Sequence, residues 1–232
     1  MFVLIAQVGL AATDNGGQHP KDLHSMFAPD PSPFAPIPGT TPAPRALFIK
    51  RWGTLLVPDQ EGIAGASDTL PFYEGAVEAL FRATRAEWRL YVIGNEDDVA
   101  FGRVSFDAFQ GMQASFLQHL AHYGVEIDRD YSCVDHPEGV NGRQNDSVYH
   151  LPNTGPFFHA AHNDAVDLKR SWVIADDTTA LVSGWRAGLR TAAVETGQAL
   201  QDGTYDVDPD LRASSFASLV HELLAAQAAS LR

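Results

Sequence analysis

ALFIKRWGTLLV, residues 46–57, is the stretch from which the rest of the chain can be read. Its first four residues, Ala46 to Ile49, are a continuous apolar run bounded by charge, the pattern of a strand covered on both faces. Gly53-Thr54 then reads as a turn. A strand covered on both faces needs helices on either side, and the flanking sequence supplies them. Glu74 to Glu87 sets Ala76, Val77, Leu80 and Ala83 on one helical face, and Leu90 to Ile93 is a second buried strand. Phe106 to Tyr123 presents Phe109, Met112, Phe116, Leu117 and Leu120 to a core and stops at Gly124. Val134 to Gly155, rich in Gly, Asn, Asp and Pro, reads as loop. Beyond it come a helix at Phe157 to Ala165, a strand at Trp172 to Ala175, a helix at Thr179 to Ala187, a strand at Thr191 to Val194 and a closing amphipathic helix at Ser214 to Ser230. Strands alternating with helices predict the α/β class, a parallel sheet with helices on both faces and a ligand site at the carboxyl ends of its strands.

Upstream the character changes. Eight prolines fall between His19 and Arg45, which excludes a regular helix or central strand and predicts an extended arm. The division is therefore residues 1–44, an N-terminal strand and proline-rich arm, and residues 45–232, the α/β domain. The opening MFVLIAQVGLAA reads as a buried or edge strand closed by Asp14-Asn15-Gly16-Gly17; it lacks a basic leader and is too short to span a bilayer. Its apolar load calls for contact, either with its own domain or with another chain.

Composition narrows the function. The 232 residues are 45% hydrophobic and 19% charged, enough for one substantial core. A net charge of −13, spread along the chain, opposes nucleic acid and anionic membrane as partners. A single cysteine, Cys133, excludes an intrachain disulfide and suits a cytoplasmic protein.

Four motifs, in order, carry a family resemblance. ALFIKRWGTLLV (46–57) resembles the nucleophile strand of haloacid dehalogenase (HAD) superfamily phosphatases, apolar residues followed by Asp-x-Asp-Gly-Thr-Leu. PFYEGAVEALFRATRAEWRLYVIGNEDDVAFG (71–102) resembles the next segment of the subgroup that cleaves heptose 1,7-bisphosphate and histidinol phosphate, with Asn95 and Gly102 matching. YSCVDHPEG (131–139) resembles that subgroup's zinc-loop opening, and SWVIADDTTALVSGWRAGLRTAAVETG (171–197) its last catalytic motif. The similarity spans about residues 45–197 and implies a HAD-like, Rossmann-like fold.

The same resemblance places the catalytic roles, and this chain departs from most of them. Lys50 stands for the aspartyl nucleophile and Trp52 for the proton donor. Gly94 replaces the phosphate-holding hydroxyl, Leu151 the lysine, and Ala180 a later acid, while Asp176 remains, followed by Asp177. An ammonium ion has no free lone pair, and it repels a cation by about 4 kcal/mol at 4 Å in a surface-like dielectric. The zinc loop keeps Cys133 but carries Asp135 at its histidine and Ser147-Val148-Tyr149 at its second cysteine pair. Cys133, His136 and His150 would make only a poorer site. Neither magnesium nor zinc is expected on this reading.

The expectation is a catalytically degenerate, phosphatase-like protein whose fold serves a protein partner or self-association. The alternative is an enzyme with a rebuilt site acting on a sugar phosphate or related small phosphorylated metabolite. In both, the crevice residues are Lys50, Trp52, Gly53, Thr54, Asn95, Asp176 and Asp177, with Lys50 paired to Asp176. Trp52 is a plug or a ligand platform. Asp97 and Asp98 are a solvated pair or the ligands of a relocated cation. His119 with His122, and His159 with His162, read as helix-surface residues, and Trp88, Trp172 and Trp185 as packing.

Overall fold

The computed structural model describes residues 4–5, 42–58 and 70–230, and in it the apolar run at 46 is the strand β2 (Ala46–Lys50). In chain order the elements are β1 (Leu4–Ile5), β2, α1 (Ala76–Arg85), β3 (Arg89–Asn95), α2 (Asp97–Ala100), α3 (Phe106–His122), β4 (Arg129–Cys133), α4 (Gly155–Asp164), β5 (Trp172–Ala175), α5 (Thr178–Arg186), β6 (Arg190–Val194), β7 (Leu211–Ala213) and α6 (Phe216–Ser230). One sheet runs in the order β1-β4-β3-β2-β5-β6-β7. Its six strands from β4 to β7 are parallel, and β1 adds antiparallel to the outer edge of β4, with Leu4 opposite Ser132. The expected α/β sheet is therefore present, with β2 at its centre.

Alternation along β2 divides the core. Leu47 and Ile49 face one layer, formed with Leu80 of α1, Phe116 and Leu120 of α3 and Leu219 of α6. Phe48 faces the other, with Phe157 of α4 and Leu181 of α5. Phe48 stacks on Tyr91 at 4.8 Å between ring centroids and meets Phe157 edge-on at 4.9 Å. Each such burial stabilises by about 1.5–3 kcal/mol, which is why an uninterrupted apolar run belongs at the centre of the sheet.

Two strands escape the apolar pattern. β4 reads Arg-Asp-Tyr-Ser-Cys, yet Asp130 and Ser132 are wholly buried. β7, three residues long, pairs with β6 through Leu211 to Ala213. Helix starts shift by a residue or two where side chains cap the backbone: Asp177 accepts from the Ala180 amide at 2.8 Å, and Ser215 from that of Ser218 at 3.2 Å.

The N-terminal strand reading falls on β1. The proline-rich arm otherwise lies outside the described residues, apart from residues 42–44. There Ala43 accepts a hydrogen bond from Arg170 at 3.3 Å and Pro44 one from the Asp167 amide at 2.9 Å. Among the described residues, no helix is long and apolar enough to cross a membrane.

Candidate functional site

Register brings the site together. Lys50 lies opposite Ile93 on β3, and Ile49 lies opposite Ile174 on β5, so β2 ends beside the first residues after β5. Lys50 Nζ donates to Asp176 Oδ1 at 2.9 Å and is also paired with Asp177 Oδ2, so the expected Lys50–Asp176 pair is present. The side chains are 15% and 1% exposed for Lys50 and Asp176. Burial alone lowers the lysine's proton affinity, but the carboxylates of Asp177 and Asp176 outweigh it and raise the pKa above the ordinary value. Lys50 is therefore a fixed cation at neutral pH.

Asp176 is enclosed by backbone. Its Oδ2 accepts from the Gln198 amide at 2.9 Å, and Thr54 Oγ1 reaches Oδ1 at 3.4 Å. Gly53 (φ +82°) and Gly197 (φ +59°) let two loops approach this closely, since a Cβ on either would sit 2.0 or 2.2 Å from Asp176 Oδ2. Thr196 Oγ1 locks the loops together by donating to the Gly53 carbonyl at 2.6 Å. Asp177 spends its Oδ1 on the cap of α5.

Trp52 turns the other way. It packs on the core layer beneath α1 and α3, and its Nε1 donates to Glu96 Oε2 at 3.1 Å. Glu96 also takes a bond from Arg51 Nη1 at 3.3 Å, and Arg51 pairs through Nη2 with Asp130, which accepts from Ser132 Oγ at 2.6 Å. Arg51 is fully buried beneath the Phe109 and Phe116 rings. Burial pushes the Glu96 carboxyl up to about 7, against the opposing pull of Arg51 and the Trp52 bond. Sequence reasoning missed Arg51, Glu96 and Asp130. The signal was a charged residue between the two marked positions of the first motif, which needs a buried counter-ion on a neighbouring strand.

Asn95 serves the loop beyond β4. Its Nδ2 donates to the Leu151 carbonyl at 2.9 Å and its Oδ1 accepts the Leu151 amide at 2.8 Å. Gly94 lies one step inside β3, paired with Ser132, and offers no polar side chain. The clamp at Leu151 carries the neighbouring His150 to Asp97 at the start of α2, Nε2 to Oδ1 3.5 Å, and its ring meets that of His136 at 4.9 Å. Asp97, His136 and His150 each offer a ligand atom, all within 4.8 Å of one another. Among the described residues this is the one group of three such side chains found.

The other candidates are engaged elsewhere. Cys133 is buried against the Asp135 carbonyl at 3.4 Å, its thiol pushed up by burial, and takes no part in the group. Asp135 holds Asn145 at 3.2 Å, and Asp98 makes an exposed pair with Arg103. His119 stacks on Phe72 and His159 meets the Tyr149 hydroxyl at 3.0 Å.

No family model matches the chain. Over 176 residues it is 30% identical to the D-glycero-beta-D-manno-heptose-1,7-bisphosphate 7-phosphatase of Mesorhizobium japonicum, covering 73% of this chain and 77% of the relative. The enzyme of the same name from Pasteurella multocida is 28% identical over 161 residues, 68% of this chain and 86% of the relative. Among solved structures, D,D-heptose 1,7-bisphosphate phosphatase from B. bronchiseptica, complexed with magnesium and phosphate, superposes with a TM-score of 0.66 at 20% identity, over 78% of this chain and 98% of that one.

These findings correct two expectations. The reading of a degenerate protein, not an enzyme, kept for a protein partner or self-association, gives way because the relatives aligned over most of their length are phosphatases. The expectation of no magnesium and no zinc gives way as well. The fold is shared with a magnesium-bound phosphatase, and the chain itself gathers two imidazoles and a carboxylate. Both expectations rested chiefly on counting lost groups, the aspartates replaced by Lys50 and Trp52 and the missing thiolates; the three ligands come from segments that folding brings together.

Proposed function

The chain belongs to the family of D-glycero-D-manno-heptose-1,7-bisphosphate 7-phosphatases, and on that premise we propose that it is a hydrolase of sugar phosphates or related small phosphorylated metabolites, with a site rebuilt around Lys50. The observation that carries the reading is the fixed ammonium at the end of β2, in the crevice where this sheet topology places ligands. An ammonium there can donate to a phosphoryl oxygen, whereas a carboxylate in its place would attack phosphorus. Lys50 holds the phosphoryl group through its remaining N–H, and Thr54, on the turn beside it, donates to Asp176 and helps fix that carboxylate under the ammonium. Trp52 packs on the core with its indole held by Glu96, and Asn95 ties the loop beyond β4 to the end of β3.

Lys50 is not the attacking group, because its raised pKa withholds the lone pair. The oxygens of Asp176 and Asp177 are engaged by Lys50, Thr54 and the amides of Gln198 and Ala180, which holds the ammonium in place. We place the reaction in the cytoplasm, in keeping with a free, buried Cys133.

The test compares Lys50→Arg and Lys50→Ala with the parent protein on heptose 1,7-bisphosphate. A phosphoryl-holding role predicts a KM raised about 10- to 100-fold in the alanine variant and largely restored by arginine. Equal KM and kcat in all three proteins would overturn the assignment of Lys50.

A further inference from the structure

We propose that Asp97, His136 and His150 bind a divalent transition-metal ion of the zinc class. Asp97 Oδ1 and His150 Nε2 face each other at 3.5 Å, both atoms out of contact with solvent, as a long pair that is each atom's one polar contact and falls short of good hydrogen-bond geometry. Two polar atoms shielded from water and so loosely paired carry a desolvation penalty. A metal ion between them removes it. With metal–ligand bonds of about 2.0–2.1 Å, neighbouring ligands of a tetrahedral ion are about 3.3 Å apart, close to the separation found. The largest ligand separation in the group, within 4.8 Å, needs to close by roughly 1.5 Å, a loop adjustment.

The supporting structure is fixed on either side. Asn95 clamps Leu151 next to His150, and the backbone of His136 is held by Arg143 at 3.1 Å and Asn145 at 3.1 Å. The His136 ring receives the Glu138 amide on Nδ1 at 3.0 Å, an exposed contact that water replaces when the ring turns to the ion. Two imidazoles and one carboxylate favour a borderline ion over magnesium or calcium, which prefer all-oxygen shells. Three protein ligands leave a position for water or a phosphoryl oxygen, the pattern of a working rather than a structural ion. The set excludes Cys133, whose sulfur is engaged with Asp135. Ion binding here does not depend on the phosphatase reading.

The experiment titrates chelator-treated full-length protein with Zn²⁺ by calorimetry and with Co²⁺ by visible absorption. One ion per chain is expected, with the cobalt spectrum of a low-coordinate nitrogen–oxygen site. Asp97→Ala and His150→Ala should each weaken binding by on the order of 100-fold while melting, in chelator, as the parent does. His136→Ala should behave likewise, and Cys133→Ser and His119→Ala should bind as the parent does. Absence of saturable binding of either ion, retention of the ion by a His136→Ala/His150→Ala double variant, or loss of it on Cys133→Ser alone would overturn the proposal.

Discussion

At Lys50 an ammonium faces two carboxylates, one of them almost wholly buried. Removing it strands those charges, so Lys50→Ala should lower stability by about 3–5 kcal/mol at neutral pH, measured by urea unfolding. The pH dependence follows from the raised pKa. The stabilisation is complete below the ordinary lysine value of 10.5 and fades only as pH rises through the higher folded value. The penalty should therefore be constant around neutral pH and shrink in strong alkali. A variant as stable as the parent would contradict the ion pair. This pairing was legible in the sequence because the residue types are visible and the topology makes β2 and β5 neighbours. Glu96 was not legible, since a carboxyl after a strand reads as solvated until Arg51 and Trp52 are seen to enclose it.

Among the elements, β4 shows where pattern reading stops. Its Asp130 and Ser132 look like loop residues, and they are buried because Asp130 meets the guanidinium of Arg51, just after β2, and accepts the Ser132 hydroxyl. A strand stabilised by a polar network leaves no apolar alternation to read. β4 is also tied to α4, where Arg129 donates to Asp164 from Nε at 2.9 Å and from Nη2 at 2.8 Å, and Tyr91 adds its hydroxyl at 3.0 Å. The Arg129 bonds hold the Asp164 carboxyl below the usual aspartate value. Its contribution is therefore present above the unfolded aspartate value of 3.8 and is lost as pH falls through the lower folded one. Asp164→Asn should cost about 1–2 kcal/mol at pH 7 and nothing at the acid end, by urea unfolding across pH. A constant difference across that range would show that the ion pair is not the source.

For the whole molecule, the central strands and their helices were legible because covered apolar runs and helical faces have few readings. The edges were less so. β7 is too short to announce itself, and β1 pairs through two residues whose strand reading came without a partner. Since β1 covers the outer edge of β4, removal of residues 1–7 should leave that edge open to pairing with other chains. Light scattering should show self-association of the truncated protein, and a monodisperse product would contradict the capping role.

The site followed the same division. The lost aspartates were legible one by one, whereas the group of Asp97, His136 and His150 is assembled by folding, with the clamp between Asn95 and Leu151 next to one of its members. Counting losses therefore pointed away from catalysis, and the relatives point back to it. The direct measurement is phosphate release from D-glycero-D-manno-heptose 1,7-bisphosphate and a panel of sugar phosphates by the purified protein, with Zn²⁺, Mn²⁺ or Mg²⁺ and with chelator alone. Turnover of at least one sugar phosphate that falls in the Lys50→Ala variant is the predicted result; no phosphate release from any of them, under any of these conditions, would contradict the account.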